Sequence, residues 1–274
     1  MSRDARALVV AMLGAARAAA DVVMRIYGEG NFRVEFKEGD DPVTRADKEA
    51  NALLLEHLGR VLPGVTIVAE ESEPSTFAEY TRADAAFFVD PLDGTREFVS
   101  RNGEFCVMVG FAEAGAATLG AVVCPAAGRS FIGASGLFAE EISPSGARSP
   151  VRVSSAATLE ESRVLISRSH KSEATDRILA RLGARALVPF GSAGMKSVQI
   201  ASGDFDIYVH PGPSGMLWDS CAPEAIVRGA GGLLTDAVGR AIDYRRSTLQ
   251  NTGGVLAASP RLHGLALAAL GSWP

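Results

Sequence analysis

Cysteine is scarce and dispersed in this chain of 274 residues. Cys106, Cys124 and Cys221 lie far apart, their number is odd, and none belongs to a Cys-x-x-Cys pair. That sets aside a disulfide framework, and buried thiols in a reducing, cytoplasmic setting are the simplest account. Basic blocks are missing as well. With a net charge of −5, the composition argues against a nucleic acid polymer as partner. No internal repeat or low-complexity tract is present. No run is expected to be long enough to span a membrane, so no membrane partner is expected. The apolar N-terminus resembles a secretory signal only superficially. Leu8, Met12, Ala16, Ala19 and Val23 fall on one helical face, and the pattern continues to Tyr27, past any cleavage point.

What is present is 47% hydrophobic and 22% charged, enough for one large core or two linked subdomains. Periodicity predicts a long N-terminal helix ending near Gly28-Glu29-Gly30 and a strand over Asn31–Phe36. A second helix follows Pro42–Asp47 and stops at Pro63-Gly64. Strands are expected over Val65–Ala69 and Ala85–Val89. Four more, Phe105–Ala112, Thr118–Val123, Arg129–Ala134 and Leu137–Ile142, read as an antiparallel meander. Ser143–Pro150, rich in Ser, Pro and Gly, reads as a linker. Beyond it strands and helices alternate as in an α/β unit. The expected division is 1–146, an α+β subdomain, and 147–274, an α/β subdomain.

The most informative segment is Asp90-Pro91-Leu92-Asp93-Gly94-Thr95. It follows the apolar strand Ala85–Val89, so two carboxylates leave a strand end three residues apart. Close carboxylates repel unless positive charge sits between them, and hard oxygen ligands favour Mg²⁺ or Ca²⁺. Gly94 and Thr95 open a short helix, whose free N–H groups suit phosphate. An EF-hand fails on spacing, because Leu92, Gly94 and Arg101 fall where acidic ligands belong. Three further acidic positions sit at element ends: Asp47, the pair Glu70-Glu71, and Asp219. Each alone reads as a dipole partner, a solvated loop or an N-cap, with Pro223 in the first turn after Asp219. Their joint appearance with Asp90 and Asp93 shifts the balance toward a metal-assisted phosphate site.

Together, Asp41-Pro42-Val43-Thr44-Arg45-Ala46-Asp47, Glu70-Glu71-Ser72, Asp90–Thr95 and Trp218-Asp219 resemble the signatures of the lithium-sensitive, magnesium-dependent phosphatases. That superfamily includes inositol monophosphatase, fructose-1,6-bisphosphatase and 3′(2′),5′-bisphosphate nucleotidase. The resemblance implies a layered αβαβα sandwich, an α+β half meeting an α/β half at the site. It implies two Mg²⁺ ions, one held by Glu70, Asp90 and the Leu92 carbonyl, the other by Asp90, Asp93 and Asp219. A weaker third site near Glu70 is part of the same expectation. Gly94 and Thr95 N–H groups would bind the scissile phosphate, and Asp47 with the Thr95 hydroxyl would orient and deprotonate the attacking water. No Cys or His nucleophile is then needed.

Local features resemble the bisphosphate nucleotidase branch: Arg96-Glu97-Phe98 with Asn102-Gly103-Glu104, Ser167-Arg168-Ser169-His170, Trp218–Glu224 and Leu249–Ala257. A second phosphate needs a cation. Lys196 follows the Gly-rich turn Gly191-Ser192-Ala193-Gly194, with Arg168, His170 and Lys171 at a neighbouring strand end. Ser192, His170 and Lys196 are therefore expected to bind substrate. Val209–Leu217 contains no carboxylate to grip a polyol, His210 being its nearest polar candidate. The expected activity is hydrolysis of adenosine 3′,5′-bisphosphate to AMP and phosphate, within sulfate assimilation. Inositol monophosphatase or fructose-1,6-bisphosphatase activity is the alternative, and a non-catalytic phosphate or metal sensor is the reading from another class. The expected partner is a small phosphate ester, and a homodimer is left open.

Overall fold

The structure is a computed structural model that describes residues 3–30, 34–36, 42–168, 173–210, 212–213 and 215–271. The chain begins with helix α1 (Arg3–Glu29), the short antiparallel pair β1 (Val34–Phe36) and β2 (Pro42–Thr44), and helix α2 (Arg45–Val61). Only the last three residues of the strand expected over Asn31–Phe36 fall within the described residues. Strands β3 (Thr66–Ala69), β4 (Ala85–Asp93), β5 (Cys106–Glu113), β6 (Ala116–Cys124), β7 (Arg129–Ala134), β8 (Phe138–Ile142) and β9 (Arg148–Pro150) form one sheet in that order. The short helix α3 (Thr95–Val99) interrupts it after β4. The meander expected from the sequence is present, antiparallel from β4 to β9.

The second half contains β10 (Arg163–Ser167), α4 (Glu173–Leu182), β11 (Ala186–Phe190), α5 (Ala193–Ala201), β12 (Ile207–His210), α6 (Trp218–Gly229), β13 (Leu233–Thr235), β14 (Val255–Ala258) and α7 (Pro260–Leu270). Its five strands run in the order β11-β10-β12-β14-β13. The first three are parallel and β14 is antiparallel to both neighbours.

Alternation along the strands sorts side chains into three apolar clusters. Phe87 and Val89 of β4 join α1 and α2 on one face of the large sheet. Ala86 and Phe88 join α5, α6 and one face of the small sheet. The other face of the small sheet packs on α4 and α7. The layers are therefore α, β, α, β, α, as the resemblance implied.

Four local expectations change. Ser143–Pro150 is a turn followed by β9, paired to β8, so the large sheet ends at Pro150 and the 146/147 division falls inside this hairpin. Proline and serine marked a hairpin turn here, which the same residues favour. Strand β4 runs on to Asp93 through a register shift between Asp90 and Asp93, so the two carboxylates sit in a bulge instead of a tight turn. Helix α6 starts at Trp218, which moves Pro223 beyond its first turn. Finally, Asp4–Glu29 is long and apolar enough to cross a membrane by length and composition. Its Val9, Met12, Ala16, Ala19, Val23 and Ile26 are all fully buried against α2 and the large sheet.

The two halves meet where α6 lies on β5, β6 and β7. Gly110, Gly120 and Gly133 are register partners across these strands and form a side-chain-free track under the helix. A methyl group on Gly120 would lie 2.2 Å from the Ala222 carbonyl oxygen; on Gly110 or Gly133 it would lie 2.6 Å from Ala222 N or Ile226 Cα. These are backbone atoms, so relief requires moving α6 as a body. Replacing Gly120 with Ala should therefore destabilise the protein by about 3 kcal/mol, the upper end of ordinary overpacking. Gly59→Ala in α2 meets nothing within 4 Å and should be neutral or stabilising by up to about 1 kcal/mol. Urea unfolding of the two variants checks the contrast.

Candidate active site

Asp90, Asp93 and Asp219 converge: one ligand oxygen from each lies within 4.8 Å of the others. The bulge in β4 delivers the first two, and the first turn of α6 delivers the third. Each carboxylate is held by a backbone N–H. Leu92 N donates to Asp90 Oδ1 at 2.9 Å, Gly194 N to Asp93 Oδ2 at 2.6 Å, and Met216 N to Asp219 Oδ2 at 2.6 Å. The Ser192 hydroxyl also donates to Asp93 Oδ2, at 2.5 Å. One oxygen of each group is thus anchored.

These residues line a cavity of about 340 Å³ that also takes in Glu70, Leu92, Gly94, Thr95, Ser192 and Lys196. Burial drives Asp90 well above the usual carboxylate range, and the negative charges of Glu70, Asp93 and Asp219 add to the rise. Ionising the cluster is costly unless a cation enters it. The converging donors are all carboxylate oxygens, and such a set fits a hard divalent ion such as Mg²⁺.

Asp47 sits just behind this wall. It is the third residue of α2 and completes a capping box with Thr44. The Thr44 backbone N–H and hydroxyl both donate to Asp47 Oδ2, each at 2.7 Å. The other oxygen, Oδ1, faces the Thr95 hydroxyl at 3.0 Å. Asp47 thus turns one oxygen to its helix cap and the other to Thr95. Burial pushes the Asp47 carboxyl up to about 6; hydrogen bonds from Thr44 and Thr95 hold it back, while Glu71 adds to the rise. Thr95 Oγ1 also lies 3.1 Å from the Leu92 carbonyl oxygen. Its single proton can go to either acceptor.

Gly94 has φ of 96°, and a Cβ there would lie 2.8 Å from the Glu104 carbonyl oxygen. Only glycine makes this turn into α3 without strain. Glu104 in turn accepts from Gly191 N at 2.6 Å and from Arg168 at 2.6 and 3.3 Å. That commits Arg168, expected near the substrate, to a bridge between the halves. Gly191 has its own reason: a Cβ would collide with Glu97 Cγ at 2.2 Å. Beyond it, Lys196 is 3% exposed. Its Nζ donates to the Gly191 and Phe190 carbonyls at 3.1 and 3.4 Å and lies 5.1 Å from the Tyr208 ring centroid. Burial pulls this ammonium below its ordinary pKa, while Asp93 and Glu97 oppose that fall.

His170, Lys171, Ser169 and Asp41 lie outside the described residues. Tyr208, Glu97, Ser167 and Trp218 also line the cavity without having been assigned a role from the sequence. Tyr208 and His210 are two apart on β12 and share a face, a period-two signal that could have paired them.

With this geometry in place, comparison with known proteins gives consistent results. The profile of the inositol monophosphatase family matches residues 4–272. The chain is 34% identical over 241 residues to the 3′(2′),5′-bisphosphate nucleotidase CysQ of Salmonella typhimurium, covering 87% of this chain and 94% of that protein. It is 28% identical over 288 residues to human 3′(2′),5′-bisphosphate nucleotidase 1, covering 91% and 90%. Among solved structures, CysQ from Bacteroides thetaiotaomicron superposes with a TM-score of 0.77 at 25% identity, covering 92% of this chain and 97% of that one. The extragenic suppressor protein suhB of Bartonella henselae shares the fold, with a TM-score of 0.83 at 24% identity over 98% and 100% of the two chains.

The crowding of charge leads to a two-sided expectation for Asp90→Asn. Metal-stripped variant protein should melt higher than wild type at pH 8, because a buried carboxylate that resists ionisation has been neutralised. Its affinity for Mg²⁺ should fall at least about a hundredfold, since one of the three converging carboxylates loses its charge. Calorimetric titration with Mg²⁺ and thermal melts with and without the ion measure both.

Proposed function

This chain belongs to the inositol monophosphatase family and is one of its phosphatases; from that premise we propose that it is a 3′(2′),5′-bisphosphate nucleotidase. The proposed substrate is adenosine 3′,5′-bisphosphate, cleaved at the 3′ ester to give AMP and phosphate. The observation that carries this reading is the make-up of one cavity. Its acidic end holds Glu70, Asp90, Asp93 and Asp219, and its wall holds the buried ammonium of Lys196. An ammonium has three N–H groups. Among the described residues the Gly191 and Phe190 carbonyls accept from it, and in this reading the remaining N–H meets a second, anionic group on the substrate. The absence of a carboxylate from Val209–Leu217 supports a nucleotide over a polyol.

In this reading Glu70, Asp90, Asp93, Asp219 and the Leu92 carbonyl would hold two Mg²⁺ ions, with a weaker third near Glu70. When bound, the ions would supply positive charge to the phosphate and to the leaving oxygen. The Gly94 and Thr95 N–H groups orient the scissile phosphate. Thr95 Oγ1 takes the proton of the attacking water while passing its own to Asp47 Oδ1, 3.0 Å away. Lys196 and His170 hold the remaining phosphate and its sugar, while Ser192, expected to join them, has its hydroxyl proton committed to Asp93 and lines the same wall. The three cysteines are free and buried, in keeping with a cytoplasmic enzyme of sulfate assimilation.

Two sets of variants test this reading. Thr95→Ala and Asp47→Asn should each lower kcat at least about a hundredfold with little change in KM, because proton transfer matters in the transition state. A raised KM with unchanged kcat would move both residues to ground-state binding. Lys196→Ala should lower kcat/KM for adenosine 3′,5′-bisphosphate by about tenfold to a hundredfold, the worth of one charge-assisted contact. Inositol 1-phosphate, lacking the second phosphate, should be nearly unaffected. A wild-type preference for inositol 1-phosphate or fructose 1,6-bisphosphate in the same assay would overturn the nucleotide assignment.

A further inference from the structure

We propose that Asn251 is a positioning residue that sets the carboxylate of Asp219 for metal binding, an inference resting on the reading that Asp90, Asp93 and Asp219 hold Mg²⁺. Asn251 lies 32 positions beyond Asp219 in the chain and is 2% exposed. Its amide nitrogen donates twice, to the Met216 carbonyl and to Ser220 Oγ, both at 2.8 Å. These acceptors bracket Asp219. The amide orientation is fixed from the other side, because Arg246 Nη2 donates to Asn251 Oδ1 at 2.5 Å. A guanidinium has no acceptor, so the oxygen must face it and both amide hydrogens must face the Asp219 loop.

The backbone reinforces the same clamp. Asn251 N donates to the Gly215 carbonyl at 2.9 Å, and Leu217 N donates to the Leu249 carbonyl at 2.8 Å. Met216 and Gln250 form an isolated antiparallel bridge. Met216 is the residue whose N–H anchors Asp219 Oδ2. Gly215, at φ of 64°, leaves the room this requires, since a Cβ there would lie 2.4 Å from the same oxygen. Arg246 is itself tied to the first half of the molecule, where the Tyr80 hydroxyl donates to its carbonyl at 2.5 Å.

The clamp has a physical task. Asp219 is one of three crowded carboxylates, and repulsion favours swinging it away whenever no cation is bound. A loop free to do so must be reordered each time an ion binds, which weakens affinity. Two amide donors on either side of Asp219 hold the loop in its binding geometry, in the manner of groups that orient a ligand without touching the metal.

The test uses metal-stripped full-length protein, with wild type, Asn251→Ala and the near-isosteric Asn251→Asp compared. Asp keeps the acceptor for Arg246 and loses both donors. Calorimetric titration with Mg²⁺ well below the melting temperature should show affinity reduced by about tenfold to a hundredfold in both variants. Thermal melts in chelator report the fold independently, and where Asn251→Ala does not fold the Asp variant decides. Wild-type Mg²⁺ affinity in a folded variant, with only a lowered melting temperature, would make Asn251 merely structural and overturn the proposal. Wild-type affinity in Asn251→Asp alone would also overturn it, because the donors would then be dispensable. Failure of the wild type to bind Mg²⁺ would instead overturn the metal reading on which the proposal rests.

Discussion

The contact of helix α6 with the glycine track of the large sheet is the constraint on which the rest of this molecule depends. Gly110, Gly120 and Gly133 leave three register-paired positions beneath the helix without a side chain, so the α6 backbone comes close to that of the sheet. Such packing is close and unforgiving. It locks α6 against β5, β6 and β7, and α6 carries Asp219 in its first turn. The bulge of β4 lies in the same sheet and carries Asp90 and Asp93. Their separation is therefore set by one rigid interface, and the carboxylate cluster inherits its precision.

That precision is needed because the cluster opposes itself. Burial and mutual repulsion raise Asp90 out of the carboxylate range. The fold meets this with backbone N–H donors, one to each of the three aspartates. The donors come from three different segments: the bulge itself, the turn into α5 and the loop before α6. The second half of the chain thus holds a carboxylate of the first through Gly194 and Ser192, while Glu104 of the first half holds Gly191 of the second. The two halves share a site that neither completes alone. Divalent ions would add the positive charge that the hydrogen bonds do not supply.

The same turn that secures Asp93 also shapes the opposite wall of the cavity. Gly191, Ser192 and Gly194 bring the chain round into α5, where Lys196 is buried beneath Tyr208. Metal chemistry and proposed substrate choice are therefore mechanically linked through four consecutive residues. Changes in this turn should disturb both, which is why Lys196 itself, one turn further along, is the cleaner probe of specificity.

Much of the fold was legible from short-range pattern. The meander, the terminal helices and the strand–helix alternation follow from periodicities of two and 3.6 residues, which local sterics impose. The Asp90–Thr95 segment announced paired hard ligands beside free N–H groups. Some readings failed where one composition serves two geometries. Ser143–Pro150 has the residues of a linker and of a hairpin turn alike, and only pairing with β8 distinguishes them. Helix α1 has the length and apolarity of a membrane span, and only its burial against α2 and the sheet shows where its apolar face goes here. Arg168 was a free cation in sequence and is bound to Glu104 in space.

By itself, the sequence determined the chemical types available and their local order: oxygen ligands on a strand end, an acidic first turn on α2, a glycine-rich turn before Lys196. Those depend on neighbours within a few residues. Tertiary structure alone decided that Asp219 meets Asp90, that one oxygen of Asp47 reaches Thr95 while the other caps a helix, and that Asn251 grips the loop carrying Asp219. Such meetings join residues 31 to 129 positions apart, and no local preference encodes them. They arise when apolar faces and glycine gaps are matched across layers, because burial fixes each element's orientation only once its partner is in place.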